Sequence, residues 1–196
     1  MARNIDVDAE INSVRLIEQE SAPEPDAGYS HIYAKANGLY IVDDDDAVTG
    51  PFVMAQDIGC RVYHDTVFDV PNASTTALPF NTERWDTDGI HNTITNNDRL
   101  TCQTAGKYLI VGNVRLANSA VGIRVLGIYL NASTMIGRMS INVLAAGDNI
   151  TLNVSTIYSL SVTDYVTLRV YQNTGGNLST LLIPNAAPEF MMQKVG

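Results

Sequence analysis

Apolar and polar positions alternate along most of this chain, and the alternation is sharpest in its central third. Across residues 107–116, Tyr108, Ile110, Val114 and Leu116 share one face of an extended strand, while Leu109 and Val111 occupy the other, because successive strand side chains point to opposite sides. Residues 122–131 repeat the pattern, with Ile123, Val125 and Tyr129 in one row and Leu126, Ile128 and Leu130 in the other. A strand that is apolar on both faces has something to bury on each side. One row belongs to the domain's own core, and the other is expected to meet a neighbouring subunit. Leu126, Ile128 and Leu130, with Tyr165 and Tyr171 further along, are the candidate subunit-interface residues.

Strands are predicted over 61–69, 75–80, 99–102, 107–116, 122–131, 135–143, 149–158, 165–172 and 190–195. Turns at Gly147-Asp148, Thr163-Asp164 and Thr174-Gly175-Gly176-Asn177 separate several of them, and no amphipathic helix stands out. Many short strands at even spacing predict an all-β sandwich, and two Greek keys make the jelly-roll version of it. Residues 81–98 are rich in Asp, Asn, Gly and Thr and read as turns and side-chain-capped loops.

The first part of the chain divides differently. Residues 1–27 read as an extended attachment arm, with Val14, Leu16 and Ile17 as candidate attachment residues, either as an added edge strand or as a short helical turn. Pro23 and Pro25 end it, since proline lacks a donor and holds its neighbour extended. Residues 28–59 form a β-hairpin stalk: extended runs flank Ala36-Asn37-Gly38, and Asn-Gly is a strong hairpin signal. A lone two-stranded hairpin is marginal in water, so copies of itself about a three-fold axis are the expected partners. Residues 60–196 are the head domain. The four carboxylates Asp43 to Asp46 read as a solvated turn, because neighbours on an extended chain splay apart and do not converge on a cation.

Charge narrows the function. Twelve Lys and Arg against 21 Asp and Glu leave a net charge of -9, which repels a phosphate backbone and argues against nucleic-acid binding. No apolar run approaches the length of a membrane-spanning helix. The N-terminus lacks the apolar core of a secretory signal, so the chain is expected to fold in the cytoplasm where it is made, with Cys60 and Cys102 as reduced, space-filling thiols. The sequons at Asn72, Asn131, Asn149, Asn153 and Asn177 then reflect a β-protein rich in Asn, Ser and Thr.

Candidate chemistry is thin. A Ser-His-Asp triad around His64 or His91 lacks the Gly-x-Ser-x-Gly nucleophile turn. Glu83 with Asp86 or Asp88 could pair as glycosidase carboxylates, with only Trp85 as an aromatic platform. Asp86-Thr87-Asp88-Gly89 resembles the opening of a calcium loop, but Asn97 stands where that loop needs a Glu. The chain is read as a non-enzyme without cofactor or metal. Trp85, Asp86, Asp88 and His91 remain candidates for an exposed binding loop, Trp85 as either a ligand platform or a packing residue.

Leu78-Pro79-Phe80-Asn81, residues 84–91 (RWDTDGIH), Thr104-Ala105-Gly106-Lys107-Tyr108-Leu109, Asp164-Tyr165-Val166 and Tyr171-Gln172-Asn173 occur in this order. As a set they resemble the globular head of the complement first component and the tumour-necrosis-factor-like jelly roll, in the versions found in tailed-bacteriophage virion proteins. Residues 28–42 separately resemble stretches of phage tail-fibre and head-fibre proteins. The resemblance implies a homotrimer on the outer surface of a virion. Its implied role is a head decoration or cement protein held by the major capsid protein or another virion protein. The alternative is a tail-fibre or receptor-binding adhesin for a host surface glycan or protein.

Overall fold

The computed structural model describes residues 31–35, 38–42, 48–52, 57–143 and 147–196. Val14, Leu16, Ile17 and the Asp43 to Asp46 run lie outside the described residues. The chain divides into two compact units, residues 1–56 and 57–196.

In the first unit, β1 (His31–Lys35), β2 (Gly38–Val42) and β3 (Val48–Phe52) form one antiparallel sheet in that order. The hairpin register pairs Lys35 with Gly38 and Tyr33 with Tyr40. The two tyrosine rings stack at 5.5 Å between centroids, as aromatic pairs directly opposite across a strand do. β3 corrects the expectation of a lone hairpin, because a third strand of the same chain pairs with β2.

The second unit holds β4 (Gly59–Tyr63), β5 (Asp69–Val70), β6 (Thr76–Ala77), β7 (Thr82–Asp86), β8 (Arg99–Thr101), β9 (Gly106–Leu116), β10 (Gly122–Leu130), β11 (Thr134–Val143), β12 (Ile150–Leu160), β13 (Tyr165–Gln172), β14 (Leu178–Ser179) and β15 (Glu189–Lys194). One sheet runs β12-β9-β15-β4-β7, and the other runs β11-β10-β13-β6 with β8 also on β13. The chain crosses from one sheet to the other between β9 and β10, back between β11 and β12, and again between β12 and β13. These crossings make the sandwich a jelly roll.

The core lies between the sheets. Tyr108, Ile110, Val114 and Leu116 of β9 face Leu126 and Ile128 of β10 and Val166, Leu168 and Val170 of β13 within one buried cluster. Phe80 stacks on Phe190 at 5.7 Å. Gly112 falls in the inward row of β9, and a Cβ there would lie 2.3 Å from the Leu168 side chain. Glycine is therefore what lets Leu168 fill the space between the sheets.

Two elements differ from the sequence reading. The 61–69 strand is two strands, β4 and β5, separated by irregular residues 64–68. The stretch read as loop from residue 81 contains β7, which pairs with β4 as the last strand of its sheet. An edge strand with one solvated side carries mixed polar residues, so Thr82 to Asp86 lack the apolar alternation by which strands are found.

Candidate functional site

The two faces of β10 are assigned by burial. Leu126 and Ile128 are 0% exposed, and Leu130 is half-buried against the same core. Their assignment to a subunit interface is therefore corrected: they close the sandwich of their own chain. The row that faces outward is Ile123, Val125 and Tyr129. Tyr165 and Tyr171 of β13 are half-buried and fall on that same outer face, Tyr171 directly opposite Val125.

Solvent-facing apolar side chains occur on both sheets: Ile123 and Met135 are exposed on the outer side of β10 and β11, and others lie along β9, β11 and β12. Leu109 and Ile157 stand directly opposite each other on β9 and β12, 38% and 63% exposed. Tyr158, Met139 and Ile141 are exposed as well. Met139 and Ile141 pair with Leu126 and Arg124 and so point toward the space between the sheets. They remain exposed because β11 is the terminal strand of its sheet.

The segment after β7 is folded by its own side chains. The Asp86 carboxylate accepts the backbone N–H groups of Asp88, Ile90 and His91 at 3.1, 3.0 and 2.9 Å. Six residues on, Asn92 Oδ1 accepts the N–H groups of Ile94 and Thr95 at 3.0 and 2.8 Å. Such bonds replace ladder bonds in a turn. They drive Ile90 into the core, and Thr101 N–H then bonds to Ile90 O at 2.8 Å.

This geometry corrects the exposed-loop reading in three places. The His91 imidazole is 0% exposed; its Nδ1 lies 2.9 Å from Glu83 Oε1 and its Nε2 3.3 Å from the Asn97 carbonyl. Asp86 is committed to backbone amides, and Asp88 has one buried carboxylate oxygen without a hydrogen-bond partner among the described residues. Trp85 sits on β7, opposite Arg61 of β4, and is 38% exposed. What these residues build is a scaffold with Trp85 on its outside.

Beside this scaffold lies a shallow polar groove of about 330 Å³, lined by Gly89, Ile90, His91, Asn92, Thr95, Asn96, Arg99, Thr101 and Gln103. Sequence reading missed it because its lining comes from a capped turn and a three-residue strand brought together only by the fold. A smaller pocket of about 180 Å³ lies near Tyr63, Arg84 and Pro188. There Glu189, 1% exposed, binds both Arg61 and Arg84.

The remaining titratable groups serve structure. Cys60 and Cys102 are free and buried. Burial pushes both thiols up, with the charges of Asp86 and Glu83 adding to the effect at Cys60, which makes them poor nucleophiles. His64 is pushed down by burial, its Nε2 2.9 Å from the Thr66 hydroxyl. Arg124 is 0% exposed and is held by the carbonyls of Ser119, Val121 and Gly122.

No family model matches the sequence, and no curated protein matches it. Solved structures do share its architecture. Murine APRIL in crystals at pH 5.0 superimposes with a TM-score of 0.56 at 11% identity, covering 71% of this chain and 100% of that one. Eiger TNF from S. frugiperda gives 0.53 at 16% identity, covering 71% of this chain and 93% of that one. The residues from Asp57 onward thus carry a tumour-necrosis-factor-like jelly roll. Fold likeness at this identity does not carry function.

Proposed function

We propose that this chain is a non-enzymatic structural protein of a tailed-bacteriophage particle, a homotrimer displayed on the outer surface of the virion as a head decoration or cement protein. Residues 1–27 attach it to the major capsid protein or another virion protein. The observation that carries the reading is the exposed apolar pair Leu109 and Ile157, directly opposite each other on the outer face of β9 and β12. Exposed apolar side chains facing one another across a strand pair favour a protein contact, and copies of one chain about a three-fold axis bring three such strand pairs together around it. The order of phage-like sequence stretches and the net charge of -9 agree with an outward-facing virion component.

Two measurements test it. Light scattering of the purified chain should give three times the 21.3 kDa chain mass, and a monomer at micromolar concentration would overturn the trimer. Added to particles that lack it, the protein should bind at regular sites visible by cryo-electron microscopy. A version beginning at Gly28 should stay trimeric without binding; if it bound equally well, attachment through the arm would be wrong.

A second reading, a receptor-binding adhesin for a host surface glycan or protein, is favoured by one specific observation. The groove along Arg99, Thr101 and Gln103 offers polar groups that the fold itself leaves uncommitted.

A further inference from the structure

The groove between the 86–96 turn and β8 is rigid in its frame and open in its chemistry. Its frame is fixed by the Asp86 and Asn92 caps, by Gln103 Nε2 donating to Gly89 O at 3.1 Å, and by Arg99 N–H donating to Asn96 O at 3.3 Å. Leu100 turns inward to the core. Strand alternation therefore turns Arg99 and Thr101, on either side of it, outward.

The Arg99 guanidinium carbon lies over the Tyr165 ring, 4.7 Å from its centroid. Among the described residues it forms no ion pair, and none of their hydrogen bonds uses its guanidinium. The cation–π contact holds the guanidinium beside the groove while leaving its N–H groups for something else. Around it stand the Thr95 and Thr101 hydroxyls, the Asn92 and Asn96 amides, and Gln103 Oε1. Asn92 spends its oxygen on the turn, so its amide N–H groups remain to donate.

We infer that this groove binds an acidic saccharide unit, with Arg99 taking the sugar carboxylate and the amide and hydroxyl groups taking the ring hydroxyls. Three features select that class. A single guanidinium free of other partners matches a carboxylate through two parallel hydrogen bonds. One Arg in the groove lining, on a chain of net charge -9, is too little for a polyphosphate or nucleic-acid backbone. The lining has one apolar side chain, Ile90, which is itself 2% exposed; an apolar small molecule or a peptide's hydrophobic anchor would find no apolar wall. About 330 Å³ is at the lower end of the range for small-ligand sites. This inference deepens the adhesin reading and rests on it for its biological role.

The test uses the full chain and saturation-transfer NMR with methyl β-D-glucuronide, methyl β-D-glucoside and sodium lactate. The glucuronide should take up saturation and be displaced by free glucuronate. The glucoside and lactate, which carry only hydroxyls or chiefly a carboxylate, should each bind about tenfold more weakly. Arg99→Gln should reduce glucuronide affinity about tenfold and Thr101→Val roughly threefold, with unchanged circular dichroism. Asn177→Ala, outside the groove, should have no effect. No saturation transfer to the glucuronide would overturn the site, as would equal binding to wild type and Arg99→Gln. Thr101→Val, which keeps the Arg99 stack, decides the matter if Arg99→Gln does not fold. Adsorption of particles to host cells in excess free glucuronide separates the biology: binding without inhibition keeps the site and removes the adhesin role.

Discussion

Arg84 Nε donates to Glu189 Oε1 at 2.7 Å, joining an edge strand to the central strand of a five-stranded sheet two strands away. Arg61, on the β4 strand between them, binds the other oxygen through Nε at 2.8 Å. The Arg84 guanidinium also lies 4.4 Å from the Tyr63 ring centroid. A carboxylate that is 1% exposed is tolerated because both oxygens are paired. The arrangement pins β7, and with it the start of the scaffold that carries the groove.

Glu189→Gln should therefore be more destabilising than a surface change. It leaves two partly buried guanidinium groups facing a neutral amide, at a cost of about 1–3 kcal/mol. Urea unfolding checks this, and hydrogen exchange should quicken in β7 before it does in β9. A stability within about 0.5 kcal/mol of wild type would show that the pair is solvated in practice.

The two faces of the sandwich should respond oppositely to charge. Ile157→Asp, on the exposed face, should yield a folded monomer. Ile128→Asp should prevent folding, because it buries an unpaired carboxylate. Light scattering with circular dichroism separates the two results, and an Ile157→Asp trimer would move the interface to another surface.

Asp86→Ala should loosen the turn without unfolding the unit. Three charge-assisted backbone bonds are lost, about 1–3 kcal/mol in total. Amide exchange at Asp88, Ile90 and His91 should rise. The purified wild-type chain should hydrolyse neither glycans nor esters; hydrolysis abolished by Asp86→Asn would overturn the non-enzyme reading.

Asp164 gives stability a pH dependence. Asn131 Nδ2 donates to its Oδ1 at 2.8 Å and Ser161 N–H to its Oδ2 at 2.9 Å, and these bonds hold its carboxyl below the ordinary value. A depressed carboxylate contributes stability above its unfolded value and loses it as pH falls through the folded one. Asn131→Ala should thus destabilise the protein more at pH 6 than once Asp164 is protonated in both states, with a convergence that stays partial because the Tyr165 N–H bond to Asn131 Oδ1 is lost at every pH. Urea midpoints from pH 6 down to pH 2 should show that convergence.

Cys60 and Cys102 should resist a thiol reagent at pH 8 in the native protein and react fully in denaturant. Both are buried and carry raised values, and thiolate is the reactive form.

The sequence by itself determined the class of this protein. Tyr108, Ile110, Val114 and Leu116 alternate with Leu109 and Val111, and the structure places the first row in the core and leaves the second facing outward. The Asn-Gly hairpin signal placed β1 against β2 for the same reason, since turn chemistry and strand period are local. What locality could not decide was β10. Both of its rows are apolar, and the choice between them depends on which way the strand faces its partner sheet. The inward row also contains Arg124, which would ordinarily turn to water. Burying it becomes tolerable only because the 119–122 loop aims three carbonyls at it. Those carbonyls are placed by the loop's own path, with Gly122 at φ 91°. The groove follows the same logic: Asp86 looked like a candidate binding residue because a carboxylate is polar in any context. Only the folded turn shows that it is spent on backbone amides, while Arg99 and Thr101 face outward unspent.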